Sequence, residues 1–249
     1  MRLFGLTGNP LGHSFSKTYF EKKFRDEQIH DCCYEVFSLS DVLEIRKLID
    51  TNPELEGLNV TIPFKQSVIP LLDETDALAS SIGAVNCLKV CRQGNLTYIK
   101  GFNTDAPAFL ETLMPIIQPH HKKALVLGTG GASKAVQYAL TKLDLAFRLV
   151  SRTKAENCIT YADLNEEIIR DHLLLVNTTP LGMSPDTGTS PDIPYQFLTG
   201  EHLLYDLVYN PELTEFLRKG KEKHAQIKNG LEMLHLQAEK AWKIWNSEL

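Results

Sequence analysis

Apolar residues recur along this chain at two spacings, and the two alternate. Runs of period two, or short wholly apolar runs bounded by turn residues, predict strands. They cover Arg2–Thr7 ahead of Gly8-Asn9-Pro10, Tyr34–Leu39, Leu58–Ile62, Gly83–Val90, Leu96–Lys100, Ala124–Leu127, Ala146–Val150, Leu173–Asn177 and Leu203–Val208. Between them apolar residues return at helical spacing. Lys17–Gln28 carries Tyr19, Phe20 and Phe24; Val42, Ile45, Leu48 and Ile49 follow the capping pair Asp41 and Glu44. Ala108–Ile117 and Lys134–Leu143 obey the same rule, and Phe64–Leu71 and Glu74–Ser80 read as two short helices. A helix opened by Tyr209-Asn-Pro211 runs to Lys219, with Gly220 as its stop. A last helix of about 18 residues follows Asn229-Gly230, with Leu231, Leu234, Ala238, Ala241, Trp242 and Trp245 on its apolar side. Strands alternating with helices predict an α/β fold.

The interval from Lys154 to Leu173 is short for a full crossover helix plus another strand. It predicts one short helix near Asp163–Arg170, with Cys158–Tyr161 extended. The junction Gly101-Phe-Asn-Thr-Asp105 marks a domain boundary, and the Pro/Gly/Ser-rich stretch from Asn177 to Pro194 is a long loop of the kind that often carries function.

Composition narrows the class. The chain has 249 residues, 43% hydrophobic and 23% charged, which suits a globular protein with a sizeable core. A net charge of -5 argues against nucleic acid as a main partner. No stretch approaches the length of apolar chain that spans a bilayer, and Met1–Gly8 is unlike a secretory signal. Cys32, Cys33, Cys87, Cys91 and Cys158 form an odd set without a C-x-x-C pair, so free, mostly buried thiols in a reducing cytoplasm are expected. No histidine stands at metal-ligand spacing from a Cys or carboxylate, so no metal site is expected.

The candidate chemistry sits at the ends of predicted strands. After Ala124–Leu127 come Gly128-Thr129-Gly130-Gly131-Ala132-Ser133 and a helix, an imperfect G-x-G-x-x-G. Glycines let backbone N–H groups approach a ligand, and the helix start favours a phosphate; a plain tight turn is the rival reading. The strand ending at Val150 leads to Ser151-Arg152-Thr153-Lys154, hydroxyls and cations rather than the acidic residue that holds the ribose of NAD. That points to a 2′-phosphate, against the alternative of a solvated basic turn. Ser14 and Ser16 flank Phe15 and could face one polyol ligand, although Ser16 could equally cap the helix. Lys65 lies just past the strand that must end near Pro63, and Asn103, Thr104 and Asp105 stand before a helix; alone, these read as a surface charge and as caps.

The ordered set Gly8-Asn-Pro-x-x-His-Ser-x-Ser16, Asn59-Val-Thr-Ile-Pro-Phe-Lys65, Gly83-Ala-Val-Asn86, Gly101-x-Asn-Thr-Asp105, Gly128-x-Gly-Gly-Ala-Ser133, Ser151-Arg-Thr153, Tyr205-Asp-x-x-Tyr209 and Gly230-x-x-Met-x-x-x-Gln237 resembles the shikimate dehydrogenase family over nearly the full length. The resemblance implies an N-terminal α/β substrate domain with a mixed sheet, residues 1–103 joined by the C-terminal helix 229–249, and a Rossmann-type NADP-binding domain, residues 104–228. It implies reversible NADPH-dependent reduction of 3-dehydroshikimate to shikimate, in a monomer or homodimer. Lys65 and Asp105 match the family's catalytic pair. Ser14, Ser16, Thr61, Asn86, Tyr209 and Gln237 match residues that, with that pair, contact the substrate. Gly128, Thr129, Gly130, Gly131, Ala132 and Ser133 match the pyrophosphate loop, Ser151, Arg152 and Thr153 the adenosine end, and Leu207, Gly230 and Met233 the nicotinamide side. Lys17 replaces the proline usual after the second serine, and Ser151 stands where Asn is common. An NAD-using quinate/shikimate dehydrogenase and a non-catalytic NADP-binding sensor are the rival readings. Retention of Lys65 and Asp105 counts against the sensor, which needs no proton donor.

Overall fold

Strands and helices alternate through the computed structural model, which describes residues 1–9, 11, 15–94 and 96–248. Backbone packing divides the chain into two compact units, Met1–Thr104 with Gln237–Leu249, and Asp105–Leu236.

The first unit is built on β1 (Arg2–Gly8), β2 (Cys32–Ser38), β3 (Leu55–Val60), β4 (Glu74–Thr75), β5 (Cys87–Gln93) and β6 (Leu96–Phe102). They form one mixed sheet in the order β2-β1-β3-β5-β6-β4, with β5 antiparallel to both neighbours and the remaining pairs parallel. Its helices are α1 (Phe15–Asp26), α2 (Glu44–Thr51) and α3 (Ala77–Ile82). Ile45 and Ile49 of α2 pack with Leu55, Leu58, Val85 and Leu88. A second cluster is aromatic: Phe20 stacks on Tyr34 at 4.6 Å, and Phe4 on Trp245 at 4.9 Å. Trp245 belongs to α8 (Leu231–Asn246), whose later turns count with this unit. Its Nε1 donates to the Leu88 carbonyl at 3.0 Å. Buried Lys89 donates to the Ile244 carbonyl at 3.0 Å, satisfying an orphan acceptor at the end of the same helix.

The second unit has β7 (Lys123–Leu127), β8 (Ala146–Ser151), β9 (Cys158–Thr160), β10 (Leu174–Asn177), β11 (Leu203–Asp206) and β12 (Gln226–Lys228). All pairs are parallel, in the order β12-β11-β10-β7-β8-β9, so the strand order reverses between β7 and β10. That is the doubly wound dinucleotide-fold order, in which ligands sit at the carboxyl ends of the strands beside the reversal. On one face α4 (Asp105–Leu113) and α5 (Gly131–Lys142) bury Ala108, Phe109, Val136 and Leu140 against Val126 and Val176. On the other, Ile169 of α6 (Glu166–Asp171) and Phe216 and Leu217 of α7 (Glu215–Glu222) cover Leu125, Leu127, Leu175 and Leu204. Burial on both faces explains why β7, β10 and β11 are apolar almost throughout.

Several expectations are corrected. Residues 64–71 hold turns and one 3-10 turn, Ile69–Leu71, rather than an α-helix. The segment after Lys154 is as expected: Cys158–Thr160 is extended, as β9 beside β8, and one short helix, α6, follows. The edge strand β12 is too short and too polar to show period two, and the sequence pattern does not reveal it. Gly220 lies inside α7 instead of ending it, because a Cβ there would meet Leu204 Cδ2 at 2.4 Å. All five cysteines are free, yet only Cys87 is fully buried.

Gly57 on β3 carries the Trp245 ring: a Cβ there would lie 2.4 Å from Nε1. Gly57→Ala must displace the ring and break its bond to Leu88, so a loss of about 1–3 kcal/mol is expected. Calorimetric melting of the two proteins measures it, and an unchanged melting temperature would contradict the packing argument.

Candidate active site

Lys65 lies in the loop that leaves β3, and backbone bonds pin this loop on both sides. Thr61 N–H donates to the Thr7 carbonyl at 2.9 Å, Asn9 N–H to the Ile62 carbonyl at 3.0 Å, and Val85 N–H to the Lys65 carbonyl at 2.7 Å. Buried Phe64 anchors the loop to the core beside half-buried Lys65. The Ile62–Pro63 peptide is cis, and Thr61 is half-buried.

A chain of buried polar groups crosses this unit. Ser16, in the first turn of α1, lies near the Tyr34 hydroxyl, which donates to Asn59 Oδ1 at 2.8 Å. Asn59 Nδ2 donates to the Asn86 carbonyl at 3.3 Å. The Asn86 amide is gripped by Thr104: Thr104 N–H donates to Oδ1 at 2.7 Å, and Nδ2 donates to Thr104 Oγ1 at 2.9 Å. Burial raises the Tyr34 hydroxyl well above its ordinary pKa, so it stays a neutral donor. Tyr34, Asn59, Asn86 and Thr104 therefore form one network, and next to it Asn103 Nδ2 donates to the Ala84 carbonyl at 2.9 Å. Sequence reasoning misses Tyr34 and Asn59 as members. The available signal was Asn59, a polar residue between the fully buried Leu58 and Val60. Ser14 lies outside the described residues. Gln237 is buried on α8, two residues before Glu239, which accepts from Lys23 Nζ at 2.9 Å and from the Tyr19 hydroxyl. Those bonds fasten α8 to α1, the helix of Ser16.

In the second unit, buried Asp105 opens α4. Gly128 follows β7 at φ 110°, a backbone conformation that disfavours other residues. Thr178, which follows β10, donates its N–H and its hydroxyl to the Leu127 carbonyl at 2.9 and 2.7 Å. A Cβ on Gly128 would come within 2.7 Å of Thr178 Oγ1, so the two turns fit together at the strand-order reversal. Thr129 and Gly130 are exposed and Gly131 and Ala132 half-buried, and a Cβ on Gly130, the N-cap of α5, would meet nothing within 4 Å. This open helix start can take a phosphate. Ser133 is fully buried and accepts from Gln137 Nε2 at 3.0 Å. It meets the packing demand of the third glycine position with a small side chain turned inward.

At the end of β8, Ser151 Oγ accepts from Thr153 N–H at 3.3 Å, and Arg152, Thr153 and Lys154 are exposed. Leu207 is half-buried, Met233 and Gly230 are buried, and a Cβ on Gly230 would fall 2.1 Å from the Leu207 carbonyl oxygen. Tyr209 is half-buried, and burial raises its hydroxyl pKa. Asp206 is fully buried, and the sequence alone does not single it out as a functional position. Its Oδ1 accepts from Asn177 Nδ2 at 2.9 Å and Val208 N–H at 3.0 Å, and Oδ2 from Thr214 Oγ1 at 2.6 Å. Desolvation outweighs these donors and pushes the carboxyl up to about 6. Among the described residues no group of three or more His, Cys, Asp or Glu could hold a metal ion, and no helix is long and apolar enough to cross a membrane.

Residues 6–88 match the family model for the shikimate dehydrogenase substrate binding domain. The NADP(+) shikimate dehydrogenase of Aquifex aeolicus strain VF5 is 37% identical over 98% of this chain and 91% of that protein. A crystal structure of shikimate dehydrogenase from Aquifex aeolicus superposes with a TM-score of 0.85 at 35% identity, covering 98% of this chain and 92% of that one. Shikimate 5-dehydrogenase from Thermus thermophilus, in complex with NADP(H) and shikimate, superposes with a TM-score of 0.85 at 32% identity, over 100% of this chain and 95% of that one.

Because Asp206 binds its proton more tightly folded than unfolded, its charged form costs stability at neutral pH. That cost disappears as the pH falls from above 6 toward the ordinary carboxylate value of about 3.9. Asp206→Asn has no such titration. The stability of the unaltered protein relative to the variant should therefore rise by roughly 2 kcal/mol between pH 7.5 and 4. Parallel denaturant titrations read the difference, and a flat one refutes the assignment.

Proposed function

The chain belongs to the shikimate dehydrogenase family, and from that premise we propose that it reduces 3-dehydroshikimate reversibly to shikimate with NADPH, within aromatic amino-acid biosynthesis by way of chorismate. The carrying observation is the open, glycine-lined start of α5 at the strand-order reversal, with Arg152 rather than an acidic residue beyond β8. These residues fit NADP: the backbone of Gly128–Ser133 would receive the pyrophosphate, Ser151–Thr153 the adenosine phosphate, and Leu207, Gly230 and Met233 the nicotinamide side. The first unit serves as the substrate domain and the second as the NADP domain. The free cysteines support a cytoplasmic, reducing compartment.

NADPH, when bound, supplies the hydride. The chain's own task is to receive the charge that grows on the ketone oxygen and to deliver a proton to it. Lys65 is the cation for that task, held by its pinned loop, and Asp105 orients it or relays its proton. A cyclic acid with several hydroxyls needs matched polar partners, because polar groups left unpaired on binding are costly. Ser14, Ser16, Thr61, Asn86, Tyr209 and Gln237 supply them. The hydrogen-bonded chain from Tyr34 through Asn59 to Asn86 and Thr104 supports this reading by limiting the rotamers open to Asn86.

Steady-state oxidation of shikimate and quinate, each with NADP and NAD, tests the function. Shikimate with NADP should give the highest kcat/KM, and inactivity in all four combinations would favour a sensor. Lys65→Ala should lower turnover by about 100- to 10,000-fold while leaving NADP affinity nearly intact; wild-type turnover would remove Lys65 from catalysis. Arg152→Ala should weaken NADP by roughly tenfold and NAD hardly at all, since only NADP carries the 2′-phosphate. Equal losses would remove the 2′-phosphate argument.

A further inference from the structure

We infer that Asp206 is a positioning residue for the nicotinamide half of the cofactor site, acting through the Leu207–Tyr209 turn. The inference rests on the NADP reading above, which assigns Leu207 to the nicotinamide side.

The turn after β11 could leave the sheet in several directions, yet three anchors hold it. Leu207 N–H donates to the Asn177 carbonyl at 3.0 Å, which prolongs the β10–β11 pairing by one step. From the other side, Gly230 N–H donates to the Val208 carbonyl at 3.1 Å, and Gly230 packs so closely that a Cβ would overlap the Leu207 carbonyl. The third anchor is Asp206 itself, whose Oδ1 accepts from Val208 N–H and Asn177 Nδ2 together. Asn177 in turn receives Thr179 N–H at 3.0 Å and the Thr179 hydroxyl at 2.7 Å on its Oδ1. One carboxylate thus joins the turn after β10 to the turn after β11. Through Thr214, which also caps α7 by accepting from Leu217 N–H at 3.3 Å, it joins the helix beyond as well.

A buried carboxylate without a cationic partner is a costly choice for a purely structural joint. No other side chain of this size accepts from a backbone N–H, an amide and a hydroxyl at once while donating nothing. The three donors come from β10, from the Leu207–Tyr209 turn and from the cap of α7, so the acceptor fixes the turn relative to the sheet. The pyrophosphate loop after β7 receives no bond from Asp206; it is held by Thr178. Asp206 therefore bonds the nicotinamide-side turn directly and reaches the pyrophosphate loop only indirectly, through the Asn177–Thr179 turn.

Binding of NADP and of 2′,5′-ADP, which lacks the nicotinamide half, separates this role from general support. Asp206→Ala should weaken NADP at least tenfold and leave 2′,5′-ADP within twofold, and Asp206→Asn, which keeps an oxygen for Val208 and Asn177, should recover most of the loss. Thr214→Val, nearly isosteric, serves where Asp206→Ala fails to fold. It should weaken NADP about threefold with 2′,5′-ADP unchanged, while Thr214→Ser behaves as the unaltered protein. Equal weakening of both ligands, or undiminished NADP binding, would overturn the inference. An unaltered protein that binds neither ligand would overturn the cofactor reading, and this inference with it.

Discussion

Covering a parallel sheet on both faces leaves polar chemistry nowhere to go but the strand ends, and the second unit follows from that restriction. Leu125, Leu127, Val126, Leu175 and Leu204 are wholly buried, so the strands themselves offer nothing to a ligand. Where β7, β10 and β11 stop, three contacts build the site: Gly128 against Thr178, Asn177 against Asp206, and Leu207 under Gly230. Two of these are contacts at or next to the backbone, and the third is a buried side-chain hydrogen bond. The ligand surface is therefore as rigid as the sheet that ends in it, which is what a cofactor held for hydride transfer requires.

The first unit meets the same restriction differently. Its central strand β3 is buried along most of its length, yet Asn59 sits in it. The cost of that buried amide is offset because both ends are hydrogen-bonded, to Tyr34 and to the Asn86 carbonyl. The resulting chain is polar, enclosed and satisfied, so it holds its members in one arrangement. Among shikimate dehydrogenases the substrate is a small polyol acid, and a site for it gains selectivity when its donors and acceptors cannot turn to suit other ligands.

The alternation of strand and helix, the glycine turn before α5 and the basic end of β8 were legible because each is local. Period two, period 3.6 and a G-x-G turn are written within a few neighbouring residues. The roles given to Lys65 and Asp105 had no local signature. Only the order of motifs along the chain, matched to a family, raised them above a surface charge and a helix cap.

The amino-acid sequence by itself determined the fold class, the places where strands must end and the polar residues available there, since these depend on short-range spacing and on which residues water excludes. Tertiary structure alone decided the rest. It paired the extended segment Cys158–Thr160 with β8 as the edge strand β9, a partner the spacing does not name. It put Gly220 inside α7, because helix and strand approach too closely there for a Cβ. It turned Ser133 inward and joined Asp206 to Asn177 across 29 positions of chain. Hydrogen bonds and close contacts between residues so far apart exist only after the sheet has assembled, and no local pattern can encode them.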